Sequence, residues 1–416
     1  MNRLKINAIS GREIMEYVAI LMIVLSSGSM FFTIMNVQNT LYALLLIAVV
    51  TAVVCKMYTK SFKRNALIFA GIIGCLVLNM VFNLEFVVFD NNIFILLIRL
   101  TSLLLIQSSI EEQSFVRKYV EILYILSIIS LISFLYMTVV DYHLPFLVER
   151  NKNGINYFYT FYHTIGYRTV YQRNAGIFWE APAFAIFITI ALIFMITRPE
   201  LFSESKKNLR YYAVFIITIA TTLSVYGFIY IGIIGALMLV SSRGTSMTTE
   251  IEGSEKRSTK RRRYYIIGFI VMLLVLFFVE NKYQLISHKL INRQGSYGTR
   301  FNDTYYSLVL ARRRLLVGYG VFNNYTVGTL RQFGIVNNSN GLAILLMAIG
   351  LPMLLLAIWR VTSSLKSLLN LNGLRFLVVV ALFFLFHFSE HLWLYTLFMS
   401  FLFVWQPTND IQSKDL

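Results

Sequence analysis

The chain has 416 residues, of which 57% are hydrophobic and only 14% charged. A soluble globular domain carries roughly 25% charged residues, and its core could not hide this much Leu, Ile, Phe and Val, whereas the hydrocarbon region of a bilayer can. The formal net charge of +17 would suggest nucleic acid in a soluble protein; here the Lys and Arg are first assigned to sides of a membrane. Cys55 and Cys75 lie in or beside apolar runs, with no metal-ligand spacing and no disulfide framework, and read as small buried hydrophobes.

In chain order the apolar runs cover residues 14–35, 41–54, 66–82, 93–107, 119–140, 176–197, 211–240, 265–279, 340–359 and 376–405. The first is longer than a signal-peptide core and lacks a cleavage site, so it reads as an uncleaved helix. The runs 211–240 and 376–405 are too long for one crossing, since about 20 residues suffice. Arg198, Lys206, Lys207 and Arg210 precede the run 211–240, and Arg243, Lys256, Arg257, Lys260, Arg261, Arg262 and Arg263 follow it. Both flanks therefore read as cytoplasmic, and the run crosses twice with a turn at Tyr226 and Gly227. Each arm is then short, about 22 Å at 1.5 Å per residue, which is tolerable where neighbouring helices shield it. The last run divides likewise around Ser389, Glu390 and His391. The expectation is an all-α bundle of about twelve spans, a single integral membrane domain over residues 1–416, with both termini cytoplasmic.

Two large loops then face outward, residues 141–175 and 280–339. The second holds Lys282, Lys289, Arg293, Arg300, Arg312, Arg313, Arg314 and Arg331 against Glu280 and Asp303. Long loops translocate regardless of charge, but this concentration is suited to an anionic ligand; contact with anionic lipid headgroups would also account for it. The stretch 302–316 reads as an amphipathic surface helix, capped by Asn302 or Asp303 and followed by Gly318. Arg312, Arg313 and Arg314 near its last turn suit the helix dipole. Arg300 lacks that explanation and is the better ligand candidate.

Four constellations can carry chemistry. Residues 173–183 read R-N-A-G-I-F-W-E-A-P-A where the first loop enters a span. Arg173 can grip a phosphate bidentately, and Glu180, at the edge of an apolar run, can take a proton from a hydroxyl; a structural Arg–Glu pair is the plainer reading. Asn337, Asn338, Ser339 and Asn340 can bind sugar hydroxyls or cap the next helix. Glu390 and His391, with His387 before them, offer a base near neutral pH or simply a polar turn. Arg99 falls inside a span and marks a cavity or pairs with a carboxylate such as Glu121. His143, His163 and His288 are isolated and read as solvated loop residues. No nucleotide-binding Gly loop and no Ser–His–Asp arrangement can be argued.

The segment 173–183 resembles the signature of bacterial O-antigen polymerases of the Wzy type and the related O-antigen ligases, which show an Arg, a Gly-Ile-Phe core and a following Glu-Pro-Gly. Here Ala181 precedes Pro182, and the Gly is absent. Thr221, Thr222, Leu223 and Ser224 with Gly227, then residues 296–300, Gly318, Tyr319 and Gly320, and Asn338 and Ser339 with Gly350, also resemble that family in order and spacing. The resemblance implies a metal-independent, cofactor-free enzyme of the bacterial inner membrane. It would join polyprenyl-diphosphate-linked oligosaccharides at the extracytoplasmic face into O-antigen or capsular polysaccharide. A chain-length regulator and a flippase are the implied partners, with no nucleic acid. By the same resemblance Arg173 and Arg300 hold the diphosphate, Glu180 or His391 is the acceptor-side base, and Asn338, Arg331 and Arg314 contribute secondary or sugar contacts. Ligases of this kind usually place a His where Asn337 and Asn338 stand, which favours polymerase. The alternatives are an O-antigen ligase acting on lipid A-core and a lipid-linked oligosaccharide flippase.

Overall fold

The computed structural model describes residues 10–85, 91–140, 144–152, 155–166, 173–202, 205–243, 296–321, 329–332 and 340–407. The expected span 265–279, the basic residues 282–293 and Asn337, Asn338 and Ser339 lie outside the described residues, as does the side chain of Arg300. The described chain is mostly helical. Its helices are α1 (Gly11–Leu25), α2 (Val37–Val54), α3 (Thr59–Val81), α4 (Asn91–Gln107), α5 (Glu112–Val139), α6 (Ala181–Thr197), α7 (Ser205–Thr221), α8 (Val225–Arg243), α9 (Ser296–Arg313), α10 (Gly341–Leu369), α11 (Gly373–Ser389) and α12 (Thr396–Ser400). Among the described residues, α2, α3, α5 and α10 are long and apolar enough to cross a membrane, and α4, α6, α11 and most of α8 are shorter apolar helices.

The way these helices bury their side chains suits a bilayer. On α2, Leu41, Leu44, Ala48 and Thr51 are buried while Tyr42, Leu46, Val49 and Val53 form an exposed apolar stripe at helical spacing. On α5 the small polar residues Ser127, Ser130 and Ser133 are buried while Ile125, Ile132 and Leu135 are exposed. A helix in water would reverse that arrangement; lipid accepts the apolar face, and small residues let helices approach closely. Every residue of α6 from Ala181 to Ile196 is buried. This helix, apolar all round, is the axis of the bundle and packs against α5, α7, α8 and α11.

A charged ladder joins α1 to α5. Lys118 Nζ lies 2.5 Å from Glu16 Oε2, both side chains nearly sealed from solvent. Arg12 adds contacts of 3.0 Å to Glu16 and 3.1 Å to Glu111, and Ser114 donates to Glu16. Tyr17 donates to Glu121, so Glu121 is engaged by α1. Arg99 instead donates to the Leu394 carbonyl.

Several expectations are refined. The run 211–240 does divide into two helices, but the turn is at residues 222–224, with Leu223 at φ +46°. The run 14–35 is not one helix: α1 ends at Leu25, and a π-helix, Met30–Ile34, follows a break at 26–29. After α11 the chain forms only the five-residue α12; the rest of residues 390–407 is irregular. The first large loop carries a three-stranded antiparallel sheet, β1 (Val148–Lys152), β2 (Ile155–Tyr159) and β3 (Thr164–Gly166). Its first register pairs Val148 with Tyr159 and Lys152 with Ile155. The amphipathic helix begins at Ser296, so Asn302 and Asp303 are interior to α9 and do not cap it.

α10 is broken at Gly350 (φ +75°, ψ +171°), two residues before Pro352. The freed Met347 and Ala348 carbonyls accept from the Tyr319 and Gly320 amides, each at 2.9 Å, and Leu351 donates to the Leu315 carbonyl at 2.7 Å. Asn79 of α3 completes the knot, donating to the Val317 carbonyl at 2.8 Å and accepting from the Val321 amide at 3.1 Å. A Cβ on Gly350 would stand 2.5 Å from the Leu316 carbonyl oxygen. Gly350→Ala is therefore expected to destabilise the protein by about 2 kcal/mol or more, from left-handed backbone and clash together. Gly74→Ala on α3, where a Cβ meets nothing within 4 Å, is expected to be neutral or slightly stabilising. Thermal unfolding of the two variants in detergent checks the contrast.

Candidate functional site

Irregular backbone is tolerated inside an apolar bundle only where protein satisfies its polar groups or a cavity is lined. Three such breaks meet: residues 26–29, residues 173–180 and residues 390–397. Met30 donates to the Ile177 carbonyl at 2.9 Å, and Trp179 donates to the Gly28 carbonyl at 3.3 Å. Ser26 Oγ donates to Thr396 Oγ1 at 2.8 Å, and the Leu397 amide to Ser27 Oγ at 2.7 Å. Trp179 lies flat on Tyr395, with ring centroids 4.7 Å apart. Gly28 is required here, because a Cβ at its position would overlap the Trp179 ring at 1.9 Å.

Arg173 and Asn174 lock the second break to the α7–α8 turn. Arg173 donates through Nε to the Thr222 carbonyl and through Nη2 to the Leu223 carbonyl, both at 3.1 Å. The guanidinium is half-buried and sits at the carbonyl end of α7, where a cation is favoured. The Asn174 amide donates to the Thr221 carbonyl at 3.0 Å, and its side chain donates to Thr221 Oγ1 at 2.9 Å and Ser130 Oγ at 3.1 Å. Gly176, at φ +54°, turns the chain against the face of Phe184.

Glu180 is exposed and occupies the N-cap position of α6, yet its side chain makes no capping bond. Tyr395 stands within electrostatic reach of Glu390, Arg99 and Glu180, so Glu180 and the 390–391 turn share one rim of the bundle. Arg99 Nη1 fixes that turn through the Leu394 carbonyl at 2.5 Å, and Tyr230 and Ser389 are hydrogen-bonded at 2.7 Å. The head of α10 closes in beside it: a Cβ on Gly341 would lie 2.8 Å from the Glu390 carbonyl oxygen. Asn340 caps α10 by accepting from the Ala343 amide at 3.1 Å, and it donates to Thr304 Oγ1 of α9 at 2.8 Å. Arg300 stands one helical turn before Thr304, on the helix tethered to this rim.

Two other sequence candidates lie apart from it. Arg314 donates to Asn83 Oδ1 at 2.9 Å, approaches Glu85 at 3.4 Å and covers the Tyr319 ring; it braces the Gly350 knot. Arg331 is exposed on a short helical turn. Sequence reasoning missed the break at residues 26–29, although Ser26, Ser27, Gly28 and Ser29 form a polar step visible in the chain, and it missed Tyr395.

His163 is not the solvated loop residue that the sequence suggests. The sheet is tied to the site by the Thr164 amide, which donates to the Gly176 carbonyl at 2.6 Å. His163, beside that bond, is wholly buried, with neither ring nitrogen hydrogen-bonded. Burial pushes its pKa down to about 3.

Compared with known proteins, the chain matches no family model, no curated protein and no solved structure.

The unfolded chain protonates His163 near pH 6.5, whereas the folded protein resists protonation down to about 3. The stability this contributes is complete above pH 6.5 and is lost as pH falls towards 3. At pH 5 the loss is roughly 2 kcal/mol. His163→Leu is expected to flatten the fall in thermal midpoint between pH 7 and pH 5 relative to the parent protein; an unchanged slope would contradict the assignment.

Proposed function

We propose that the chain is a polytopic membrane glycosyltransferase. It crosses the bacterial inner membrane about twelve times with both ends cytoplasmic, and it polymerises polyprenyl-diphosphate-linked oligosaccharide repeats at the extracytoplasmic face. The observation that carries this reading is that the 173–180 segment meets two turns: the 390–395 turn, where the exposed carboxylate of Glu180 stands within electrostatic reach of Tyr395, and the α7–α8 turn, which anchors Arg173. Such a rim at helix ends suits a substrate whose lipid tail stays in the bilayer while its sugars lie in water.

In this mechanism Arg173 and Arg300 face the diphosphate of the donor. As the bond between the sugar's anomeric carbon and the diphosphate oxygen breaks, the guanidinium groups stabilise the charge gathering on the leaving group. Glu180 accepts the proton of the acceptor hydroxyl, whose oxygen forms the new glycosidic bond; His391 is the second candidate for that proton. The products are a lengthened glycan on the acceptor's lipid and a free polyprenyl diphosphate. Asn338 and Arg331 remain candidates for sugar contacts. The role of Arg314 is better accounted for by the Asn83, Glu85 and Tyr319 contacts that hold the α3–α10 knot.

Glu180→Gln keeps the shape and removes the basicity at an exposed position, so the fold is expected to survive. Glycan polymerisation, read as a surface-polysaccharide ladder in the producing cell, is expected to fall on the order of 100-fold or more at equal protein level. A normal ladder would contradict the role. In the gene deletion, single repeats still reaching the surface support a polymerase. Long chains held on the lipid carrier would indicate a ligase, and repeats trapped at the cytoplasmic face a flippase.

A further inference from the structure

Far from Glu180, towards the end of the bundle where α6 and α10 finish, residues 403–406 are gripped from two sides. From α3, Asn65 donates to the Val404 carbonyl at 3.0 Å and accepts from the Val404 amide at 3.1 Å, and Arg64 donates to the Trp405 carbonyl at 3.3 Å. From α10, Ser364 donates to the Phe403 carbonyl at 2.6 Å. Arg360 stands one turn before Ser364, on the same helix face, and lies close enough to Arg64 for the two positive charges to oppose each other.

Several donors on Arg360, Trp405 and Gln406 are short of acceptors. Arg360 Nε and Nη2 are sealed from solvent and have no hydrogen-bond partner. On the segment that Arg64 grips, Trp405 Nε1 and both side-chain polar atoms of Gln406 are also buried without partners. Gln406 is wholly buried and Trp405 is 2% exposed. Buried donors, above all a guanidinium, are not left without acceptors unless something else supplies them. What the donors among them, Arg360 Nε and Nη2, Trp405 Nε1 and Gln406 Nε2, lack is an oxyanion.

We propose that Arg64 and Arg360, with Trp405 Nε1 and Gln406 Nε2, form a binding site for a phosphate oxyanion, filled in the membrane by the phosphodiester of an anionic lipid headgroup. Arginine suits phosphate through its planar fork. The lipid source follows from the neighbouring surface: Trp359, directly before Arg360, is 62% exposed, and Leu355 and Leu356 beside it are exposed too. An apolar face and an interfacial Trp next to a basic pocket between helices are what a lipid's chains and head would meet. This site is independent of the proposed glycan chemistry.

The test uses the full chain, purified in nonionic detergent and stripped of lipid, with thermal unfolding followed by tryptophan fluorescence. Dioleoylphosphatidylglycerol and sodium phosphate are titrated separately. The expected result is a rise in midpoint with phosphatidylglycerol that Arg360→Gln largely abolishes. The lipid-free midpoint of Arg360→Gln should equal or exceed the parent's, because the repulsion from Arg64 is gone. An equal rise with sodium phosphate, also lost in Arg360→Gln, would uphold the oxyanion site and assign it to a soluble anion. Gln406→Leu, which keeps both arginines, should weaken the response several-fold and serves if Arg360→Gln fails to fold. A full lipid response in both variants, or no response of the parent protein to either ligand, would overturn the proposal.

Discussion

The architecture depends on satisfying backbone that is neither helix nor sheet inside an apolar bundle. After α11 the chain runs from residue 390 to 407 with only five residues of helix, and each step is held by a side chain of another element. Arg99 takes the Leu394 carbonyl, Ser27 the Leu397 amide, Gln107 the Ser400 carbonyl, Ser364 the Phe403 carbonyl and Asn65 both polar groups of Val404. An unsatisfied backbone group away from water costs about 1–3 kcal/mol, so these polar residues on otherwise apolar helices are as much a part of the fold as the core packing. The same logic explains Asn79 at the Gly350 break and Arg173 and Asn174 at the α7–α8 turn.

Those supports also position the candidate site. Because the irregular segment is pinned against the break at 26–29 and against residues 173–180, Trp179 and Tyr395 stack, and Glu180 comes to the rim that carries Glu390 and His391. The glycines act in the same place: Gly28, Gly176 and Gly341 each permit an approach that a methyl group would block.

Much of the helical plan is legible in the residues. The charge flanks of 211–240 require two arms, and α7 and α8 are those arms; the turn falls a few residues early because Thr222, Leu223 and Ser224 close it, with Arg173 binding the carbonyls. The run 376–405 has the same hydropathy, yet its second half is not a regular helix. What decides it is the set of distant partners on α1, α3, α4 and α10, which no local pattern records. The sheet is hard to read from the chain because its strands are only three to five residues long and carry charged and polar residues such as Glu149, Arg150 and Asn156. His163 looked like a solvated loop residue because its burial comes from the tether between Thr164 and Gly176. Of the site, Arg173 and Glu180 were visible as charges at a span's edge, but the two carbonyls that Arg173 holds are not.

The proposed glycan transfer requires the rim bearing Glu180 to face the extracytoplasmic side. The most direct measurement is labelling in intact cells with a membrane-impermeant maleimide, in a Cys55→Ser, Cys75→Ser background carrying one new cysteine at Glu180 or at Lys206. Glu180→Cys is expected to be labelled from outside and Lys206→Cys only after the membrane is opened. Labelling in the reverse order would place the rim in the cytosol and contradict the account.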